Sequence, residues 1–529
     1  MNNGKFERLG VMIDNSRNGV MKPEKVKDFI DLISSMGYNA LLLYTEETYE
    51  VKNQPYFGHN RGRYSISEIK SMDEYAKTKG VELIPCIQTL AHLERIFRWS
   101  VYSKVRDTDN ILLVGEEETY KLIDDMFASL AESYTSRIVN IGMDEAGMVG
   151  RGKYLDRYGL KDRFDILLEH LGKISDIAKK YGFHMTMWGD MFLGREELWE
   201  SAKENNLIPD NLDVVYWDYY STSEENYDNR FKLYSSLEKE VWFAGGSWSW
   251  TGFIPHNRFS NFVTKKAFNQ CFEHGVKNVF LTMWGDDGNE GSKFTLLPAL
   301  YYASQLAIGN DDESAIKEGF KEKFGIAYDD FMLIDLPGTP NDRETEVVNC
   351  DKYLLYNDCF MGLFDNMVTD DLSEKFAALV PKLTKLIDNE KYGYLFNTAK
   401  ALCEVLELKC NIGNETRKAY KSGDKEALKK LLDKYEKLIL KLEEFYDVFE
   451  IQWMTDNKPQ GFDVQDARFG GLIRRVTHCK ERIMKYLNGE ISSIDELNED
   501  VLDIICREEN QNFHIAYNKW SDIITANAI

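Results

Sequence analysis

The sequence lacks the residue patterns that mark metal, nucleotide and serine-hydrolase chemistry. Only eight histidines occur in 529 residues, with neither an H-x-H nor an H-E-x-x-H motif, which argues against a zinc site. No glycine-rich loop with a suitable lysine precedes a helix, and no serine stands in a G-x-S-x-G motif. We therefore expect no metal and no other cofactor.

Disulfides, long apolar runs and an excess of positive charge are also missing. The eight cysteines are scattered without a C-x-x-C pair, which fits buried reduced thiols better than a disulfide framework. No run of 18 apolar residues occurs, and the first residues contain no apolar signal core, so we expect a cytoplasmic protein. The net charge of −23 argues against binding to nucleic acid or to an anionic membrane.

What the sequence does contain, over its first 310 residues, is a repeated unit of an apolar strand and a helix. Continuous apolar strands that alternate with helices indicate a parallel sheet covered by helices. Eight such units favour an α/β fold of the (β/α)8, or TIM-barrel, type, although a doubly wound open sheet also fits the pattern. The predicted strands begin at Arg8, Ala40, Val81, Ile138, His184, Leu212, Val241 and Val279.

The pattern changes after residue 310, where long helical periodicities replace the strands. Seven apolar residues from Leu428 to Phe449, spaced alternately three and four apart, form a heptad pattern. We interpret this helix as part of an antiparallel bundle rather than as a free coiled coil, although an exposed seam would favour a homodimer. The predicted domains are a (β/α)8 barrel over residues 1–310 and an all-α domain over residues 311–529.

Polar and aromatic residues stand at the ends of all eight predicted strands. Barrel enzymes hold their active sites at the carboxyl ends of the strands, so these side chains are expected to converge. Acids that position hydroxyl groups, together with aromatic faces that stack on C–H-rich rings, suit a sugar pocket. The residues are Asp14, Arg17, Glu46, Glu47, His92, Glu94, Asp144, Glu145, Trp188, Asp190, Tyr216, Asp218, Trp248, Trp250, Trp284 and Asp286.

Two adjacent carboxylates, Asp144 and Glu145, follow the fourth apolar run. Neighbours in a regular strand point to opposite faces, so both acids reach one ligand only if the strand has ended or bulged. Gly142 and Gly147 make such an irregular backbone plausible. Because two acids in one pocket differ in pKa, we expect the more buried one to keep its proton as a general acid while its neighbour stays charged.

The stretch Asn140-x-Gly142-x-Asp144-Glu145 resembles the [HN]-x-G-x-D-E signature of family 20 glycoside hydrolases, the β-N-acetylhexosaminidases. The resemblance covers roughly residues 5–310. Because the first strand begins almost at once, without the α/β domain of many members, the chain resembles the compact bacterial exo-hexosaminidases that act on small glycans. Three further motifs are similar in the expected order: Asp14-x-x-Arg17, Tyr216-x-Asp218 and Trp284-x-Asp286, the last with a shorter acid than the family's glutamate.

The resemblance implies a retaining, substrate-assisted mechanism, in which the 2-acetamido oxygen of the sugar attacks the anomeric carbon and forms an oxazolinium ion. Glu145 would protonate the leaving oxygen and later activate water, and Asp144 would hold the acetamido N–H and stabilise the positive charge. The implied substrate contacts are Tyr216 to the acetamido oxygen, Arg17 and Asp286 to the distal hydroxyls, Trp188, Trp250 and Trp284 as walls, and also His92 and Asp218.

The implied function is the removal of terminal β-linked GlcNAc or GalNAc from small oligosaccharides or glycosides. Two alternatives stay open: a conventional retaining β-glycosidase with Asp218 or Asp286 as nucleophile, and a barrel that binds amino sugars without cleaving them. Arg17 is alternatively a salt bridge at the barrel rim, and His92 a structural hydrogen-bonding residue. We expect four other acids to support Arg17 or His92 rather than to contact the ligand: Glu46, Glu47, Glu94 and Asp190.

Overall fold

Eight parallel strands form a closed barrel in a computed structural model, which describes residues 6–193, 196–340, 348–504 and 519–529. The strands pair in chain order, and the eighth pairs with the first. The predicted (β/α)8 barrel is confirmed, and the open sheet is excluded. The strands are β1 Arg8–Asp14, β2 Ala40–Tyr44, β3 Glu82–Cys86, β4 Ile138–Asn140, β5 His184–Trp188, β6 Leu212–Trp217, β7 Val241–Gly246 and β8 Asn278–Met283.

Helices follow the strands, as the alternating pattern predicts. The buried residues Val26, Phe29, Ile30 and Ile33 of the first helix have the spacing of an amphipathic helix that covers a sheet. The helices are α1 Pro23–Ser35, α2 Ile66–Thr78, α3 Glu117–Ser133, α4 Lys153–Tyr158, α5 Arg163–Lys180, α6 Glu196–Glu204, α7 Glu224–Ser235, α8 Asn257–Glu273 and α9 Leu297–Ala307.

Side chains along each strand point alternately to the inside and to the outside of the barrel. In β6, Val215 belongs to the buried cluster of the barrel and Trp217 packs against that cluster. The intervening Tyr216 therefore faces the helix layer, where its ring centroid lies 4.9 Å from that of Tyr234 and 5.0 Å from that of Phe231, both in α7. This period of two decides which residue of a strand end reaches the barrel mouth.

The chain divides into two compact units. Of the described residues, the first unit holds those up to Ser247, Asn261–Trp284 and Leu300–Asp312, and the second holds Trp248–Ser260, Gly285–Ala299 and those from Glu313 onward. The loops that follow β7 and β8 thus belong to the second unit. Periodicity along the chain does not show such a division, because it does not register the contacts of loops, and the boundary after residue 310 stays a prediction.

The second unit consists mainly of helices, and its longest helix carries the predicted heptad pattern. The heptad residues from Leu428 to Phe449 are all buried, and their helix packs against three others of the unit. The bundle interpretation is confirmed, and the buried seam gives no support to the predicted homodimer. The helices are α10 Glu313–Phe324, α11 Tyr328–Phe331, α12 Cys350–Tyr356, α13 Leu372–Thr384, α14 Gly393–Lys409, α15 Ile412–Lys421, α16 Lys425–Asp456, α17 Phe462–Leu487 and α18 Trp520–Ile524.

No helix within the described ranges combines the length and the apolar character that crossing a bilayer requires.

Candidate active site

The acid pair lies on an irregular loop that follows β4. Gly142, Met143 and Glu145 have φ angles between +51° and +73°, so the alternation of a strand no longer applies. His92 Nε2 lies 3.3 Å from Asp144 Oδ2 and 3.5 Å from Glu145 Oε2. It therefore stands between the two carboxylates at ion-pair distance. Two acids that are adjacent in sequence thus face one imidazole, as the predicted end or bulge of the strand requires.

Gln88, which follows β3, ties Asp144 to the loop. Its Nε2 donates to Asp144 Oδ1 at 2.7 Å and to Tyr44 Oη at 3.0 Å, and its Oε1 accepts from Met143 N at 3.3 Å. A Cβ atom at Gly142 would lie 2.0 Å from Gln88 Oε1, and the φ of Gly142 is +73°. The glycine of the sequence motif therefore permits the close approach that positions Asp144.

The two acids differ in exposure and in the charges around them. The Asp144 side chain is 13% exposed and that of Glu145 is 63% exposed. Burial by itself would raise the pKa of Asp144, but the charge of His92 and the hydrogen bond from Gln88 lower this pKa below its ordinary value. Burial likewise acts to lower the pKa of His92, but the charges of Asp144 and Glu46 raise it to about 9. The more buried acid is thus held as a carboxylate, contrary to the expectation that it keeps its proton.

A buried ion pair adjoins His92. Arg17 Nη2 lies 3.1 Å from Glu46 Oε1, to which Tyr44 Oη also donates at 2.9 Å. Burial raises the pKa of Glu46 to about 7, against the charges of Arg17 and His92, which lower it. The prediction that Glu46 supports Arg17 is confirmed. The neighbouring Glu47 pairs instead with Arg61, at 2.7 Å.

Asp190, which follows β5, holds the backbone of the exposed acid. Its Oδ2 accepts a hydrogen bond from Glu145 N at 3.0 Å, and its Oδ1 accepts one from Trp217 Nε1 at 3.4 Å. Burial raises the pKa of Asp190 to about 6, and the charge of Asp144 adds to this effect. Asp190 therefore supports Glu145, and not Arg17 or His92 as the sequence analysis expects.

Aromatic rings line the inner side of the barrel near these acids. The ring centroid of Trp284 lies 4.7 Å from that of Tyr44, edge-on, and 5.9 Å from that of Trp188. Trp188 is 1% exposed, and no residue in the described part of the chain accepts a hydrogen bond from its Nε1. A buried N–H group without an acceptor is uncommon in native proteins, so it marks a place where a ligand can accept a hydrogen bond.

Tyr216 and Asp218 are not brought to the acid pair. Tyr216 Oη donates to Asp218 Oδ2 at 2.9 Å, on the side of α7. The Asp218 carboxylate also accepts from Tyr220 N at 3.0 Å, from Ser221 N at 2.9 Å and from Ser221 Oγ at 2.6 Å. Four hydrogen bonds thus engage Asp218 within its own loop, and the substrate roles of both residues stay predictions.

Tyr219 is the tyrosine of this strand end that lies on the inner side. Its ring stacks on that of Trp217 with centroids 5.2 Å apart, and its hydroxyl is hydrogen-bonded to Trp284. Burial raises the pKa of Tyr219, and the charge of Asp144 contributes to the rise. Tyr219 therefore lies within electrostatic reach of the acid pair.

Trp250 and Asp286 belong to the second unit, and their substrate roles stay predictions. The Trp250 ring stacks on that of Trp248 with centroids 4.0 Å apart, and both side chains are buried. Asp286 is partly exposed and directly precedes Asp287.

Asp287 takes part in a buried set of four charges in the second unit. Lys352 Nζ lies 2.7 Å from Glu290 Oε2 and 3.3 Å from Asp287 Oδ2. Arg468 binds the same two acids, at 2.9 Å to Glu290 and 2.8 Å to Asp287. These four residues are termed the charge quartet. The quartet fixes the loop that begins with Asp286.

Sequence reasoning missed Gln88 and Tyr219 and gave Asp190 the wrong partner. One positional signal could have found these residues. At four strands, the residue two positions after the end of the strand lies in the site. It is Glu46 after β2, Gln88 after β3, Asp190 after β5 and Tyr219 after β6.

Comparisons with known proteins converge on one family. The catalytic-domain model of glycosyl hydrolase family 20 matches residues 6–275, and the Glycoside Hydrolase 20C C-terminal domain matches residues 329–516. Hexosaminidase D of Bos taurus is 25% identical over 276 residues, which cover 48% of this chain and 74% of that protein. Hexosaminidase D of Homo sapiens is 24% identical over 329 residues, or 58% of this chain and 67% of that protein.

One of the solved structures that match the chain is the exo-β-N-acetylglucosaminidase of Vibrio harveyi in complex with N-acetylglucosamine. The TM-score is 0.48 at 16% sequence identity, over 63% of this chain and 59% of that chain.

Proposed function

Because the chain belongs to glycoside hydrolase family 20 and is a glycoside hydrolase, we propose that it acts as a retaining exo-β-N-acetylhexosaminidase. The observation that carries this proposal is the position of His92 between Asp144 and Glu145. The imidazole charge keeps the buried acid ionised, and we assign the proton transfer to the exposed acid. One carboxylate for charge stabilisation and one acid for the leaving group are the two functions that substrate-assisted hydrolysis needs.

In the first step, the Asp144 carboxylate accepts a hydrogen bond from the acetamido N–H and orients the acetamido oxygen toward the anomeric carbon. That oxygen forms a bond to the anomeric carbon while the bond to the leaving oxygen breaks. Glu145 transfers its proton to the leaving oxygen, so the products are an oxazolinium ion and a neutral alcohol. The negative charge of Asp144 stabilises the oxazolinium ion.

In the second step, water attacks the anomeric carbon on the face that the leaving group has vacated. The Glu145 carboxylate takes a proton from this water, and the bond to the acetamido oxygen breaks. Two inversions at one carbon retain the β configuration. The exposure of Glu145, at 63% of its side chain, suits a group that must meet both a leaving group and water.

The remaining substrate contacts are proposals, and the placement of the side chains supports some of them. For the acetamido oxygen we assign Tyr219 in place of Tyr216, because Tyr216 packs against α7 while Tyr219 lies within reach of the Asp144 charge. We retain Arg17 for a distal hydroxyl, since its side chain is 28% exposed beside Glu46. The other proposed contacts are Trp188, Trp250, Trp284 and Asp286.

The proposed substrates are small oligosaccharides or glycosides with a terminal β-linked GlcNAc or GalNAc, and the proposed location is the cytoplasm. All seven cysteines in the described part of the chain are free thiols, which suits a reducing compartment.

A panel of aryl β-GlcNAc, aryl β-GalNAc and aryl β-glucoside substrates tests this function. We expect turnover of an N-acetylhexosaminide and a far slower reaction with the glucoside, which lacks the acetamido nucleophile. We also expect inhibition by a GlcNAc-thiazoline, a mimic of the cyclised intermediate. Equal rates on the glucoside together with indifference to the thiazoline would favour the two-carboxylate mechanism. Binding of GlcNAc without turnover of any substrate would favour the non-catalytic alternative.

A further inference from the structure

We propose that a cavity beside the acid pair binds a neutral saccharide on the leaving side of the scissile bond. This inference rests on the proposed function. The cavity has a volume of about 620 Å³ and lies between the carboxyl ends of β5 and β6 and helix α7. That volume falls within the range of roughly 300–1,000 Å³ that is usual for small-molecule sites.

Asp190 forms a wall that the cavity shares with the acid pair. It lines the cavity, and its carboxylate also accepts a hydrogen bond from Glu145 N at 3.0 Å. Trp217, another lining residue, donates to the same carboxylate at 3.4 Å. Because Glu145 delivers its proton to the leaving oxygen, the saccharide attached to that oxygen extends past Glu145, and we assign it to this cavity because Asp190 is shared by the cavity and the Glu145 loop.

One face of α7 supplies the polar groups of the cavity. Asn226, Asn229 and Arg230 are spaced i, i+3 and i+4, which places them on one side of the helix, and all three line the cavity. Their side chains are exposed, and none of the three makes a hydrogen bond or an ion pair with another residue that the structure describes. Two amides and a guanidinium group are therefore available to bind hydroxyl groups.

The other lining residues favour a neutral ligand. Two carboxylates, Asp190 and Asp218, line the cavity with a single guanidinium group, so an anionic sugar would meet repulsion. The Asp218 carboxylate is already engaged in four hydrogen bonds. Tyr220 is 55% exposed and offers an aromatic face for the C–H groups of a sugar ring. A saccharide that presents hydroxyls to α7 and a ring face to Tyr220 matches this lining.

Kinetics with two substrates test the assignment in the full-length protein. N,N′-diacetylchitobiose has a sugar as leaving group, whereas β-GlcNAc fluoride has a leaving group too small to reach the cavity. For Asn229→Ala and for Arg230→Ala we expect kcat/KM on the disaccharide to fall roughly 3- to 10-fold, as for the loss of one hydrogen bond. We expect kcat/KM on the fluoride to stay at the wild-type value.

Lys232→Ala is the matched control, because it removes a charge from the same helix outside the cavity. Lys232 is 65% exposed and pairs with Asp228. We expect this substitution to leave kcat/KM on both substrates at the wild-type value. Alanine has a higher helix propensity than asparagine, so Asn229→Ala should not unfold α7, and the thermal midpoint checks this.

Two outcomes would overturn the inference while leaving the proposed function intact. One is that both cavity variants keep the wild-type kcat/KM on the disaccharide. The other is that kcat/KM falls as much on the fluoride as on the disaccharide. A wild-type protein that hydrolyses neither substrate would instead remove the proposed function, and this inference with it.

Discussion

The acid cluster around His92 and the charge quartet around Glu290 both bury ionised groups, but only the quartet is balanced. In the quartet, two acids meet two bases in four ion pairs of 2.7 to 3.3 Å. Around His92, burial raises the pKa of Glu46 to about 7 and that of Asp190 to about 6. An excess of carboxylates over cations, in addition to burial, therefore distinguishes the acid cluster from the quartet.

Backbone strain does not separate the two regions. Glu46 and Glu145 in the cluster have φ angles of +44° and +51°, and Asp287 in the quartet has +43°. Left-handed conformations of non-glycine residues cost of the order of 1–3 kcal/mol each and persist where the surrounding contacts hold them. The loops of both regions are therefore held by their side-chain partners, and the difference between the two regions lies in their charges.

The largest effect is expected when the exposed acid of the cluster is neutralised. Glu145→Gln removes the proton donor, so kcat/KM on an aryl β-GlcNAc with a poor leaving group should fall roughly 10²- to 10⁴-fold. The thermal midpoint should not change, because the side chain is 63% exposed. Hydrolysis at the wild-type rate would show that Glu145 is not the general acid.

In the quartet, the loss of one charge should affect stability instead. Lys352→Met leaves Glu290 and Asp287 with Arg468 as their one remaining cation in the quartet, and breaking such a buried pair costs about 3–5 kcal/mol. The thermal midpoint of the second unit should fall by the order of 10 °C.

Lys429→Met is the matched control for this quartet variant, because the Lys429–Glu426 pair of the same unit is 57% and 78% exposed. Its removal should cost less than about 1 kcal/mol. Equal shifts for the two variants would contradict the proposed structural role of the quartet.

The smallest effect is expected on the free energy of unfolding when the pH is changed. The pKa of His92 is raised from 6.5 to about 9 in the folded protein, so folding binds a proton between these values. The stability that His92 contributes is full below about pH 6.5 and is lost as the pH rises through about 9. The difference in unfolding free energy between the wild type and His92→Gln should therefore shrink over this interval, as urea titrations can measure. A difference that stayed constant with pH would mean that His92 is neutral in the folded protein.

The beginnings of the strands were predicted closely. The first residues of β1, β2, β4, β5, β6 and β7 agree with the predicted ones, because a continuous apolar run is stable only in the interior of the sheet. The end of the fourth run is different. There the strand ends at Asn140, whose Oδ1 accepts a hydrogen bond from Gly142 N at 2.9 Å, and the apolar residues that follow continue as a loop.

The candidate site was predicted only in part. The acid pair and its motif are contiguous in sequence, so a pattern of four residues was enough to find them. Gln88 lies more than 50 positions from Asp144, and their contact depends on how two loops meet in space. The sequence motif points to Tyr216, and a motif does not record which face of the barrel each residue of a strand presents, so the packing of Tyr216 against α7 was not foreseen.

For Asp144 and Glu145, some properties follow from the local sequence pattern and others depend on contacts formed only in the folded protein. Their place after the fourth strand follows from periodicity, which is a property of neighbouring residues along the chain. The ionisation of Asp144 depends on His92 and Gln88, which reach it from the loop after β3. Because a pKa is set by the charges and donors within a few ångströms, whatever their position in the sequence, only the folded barrel holds the buried Asp144 as a carboxylate.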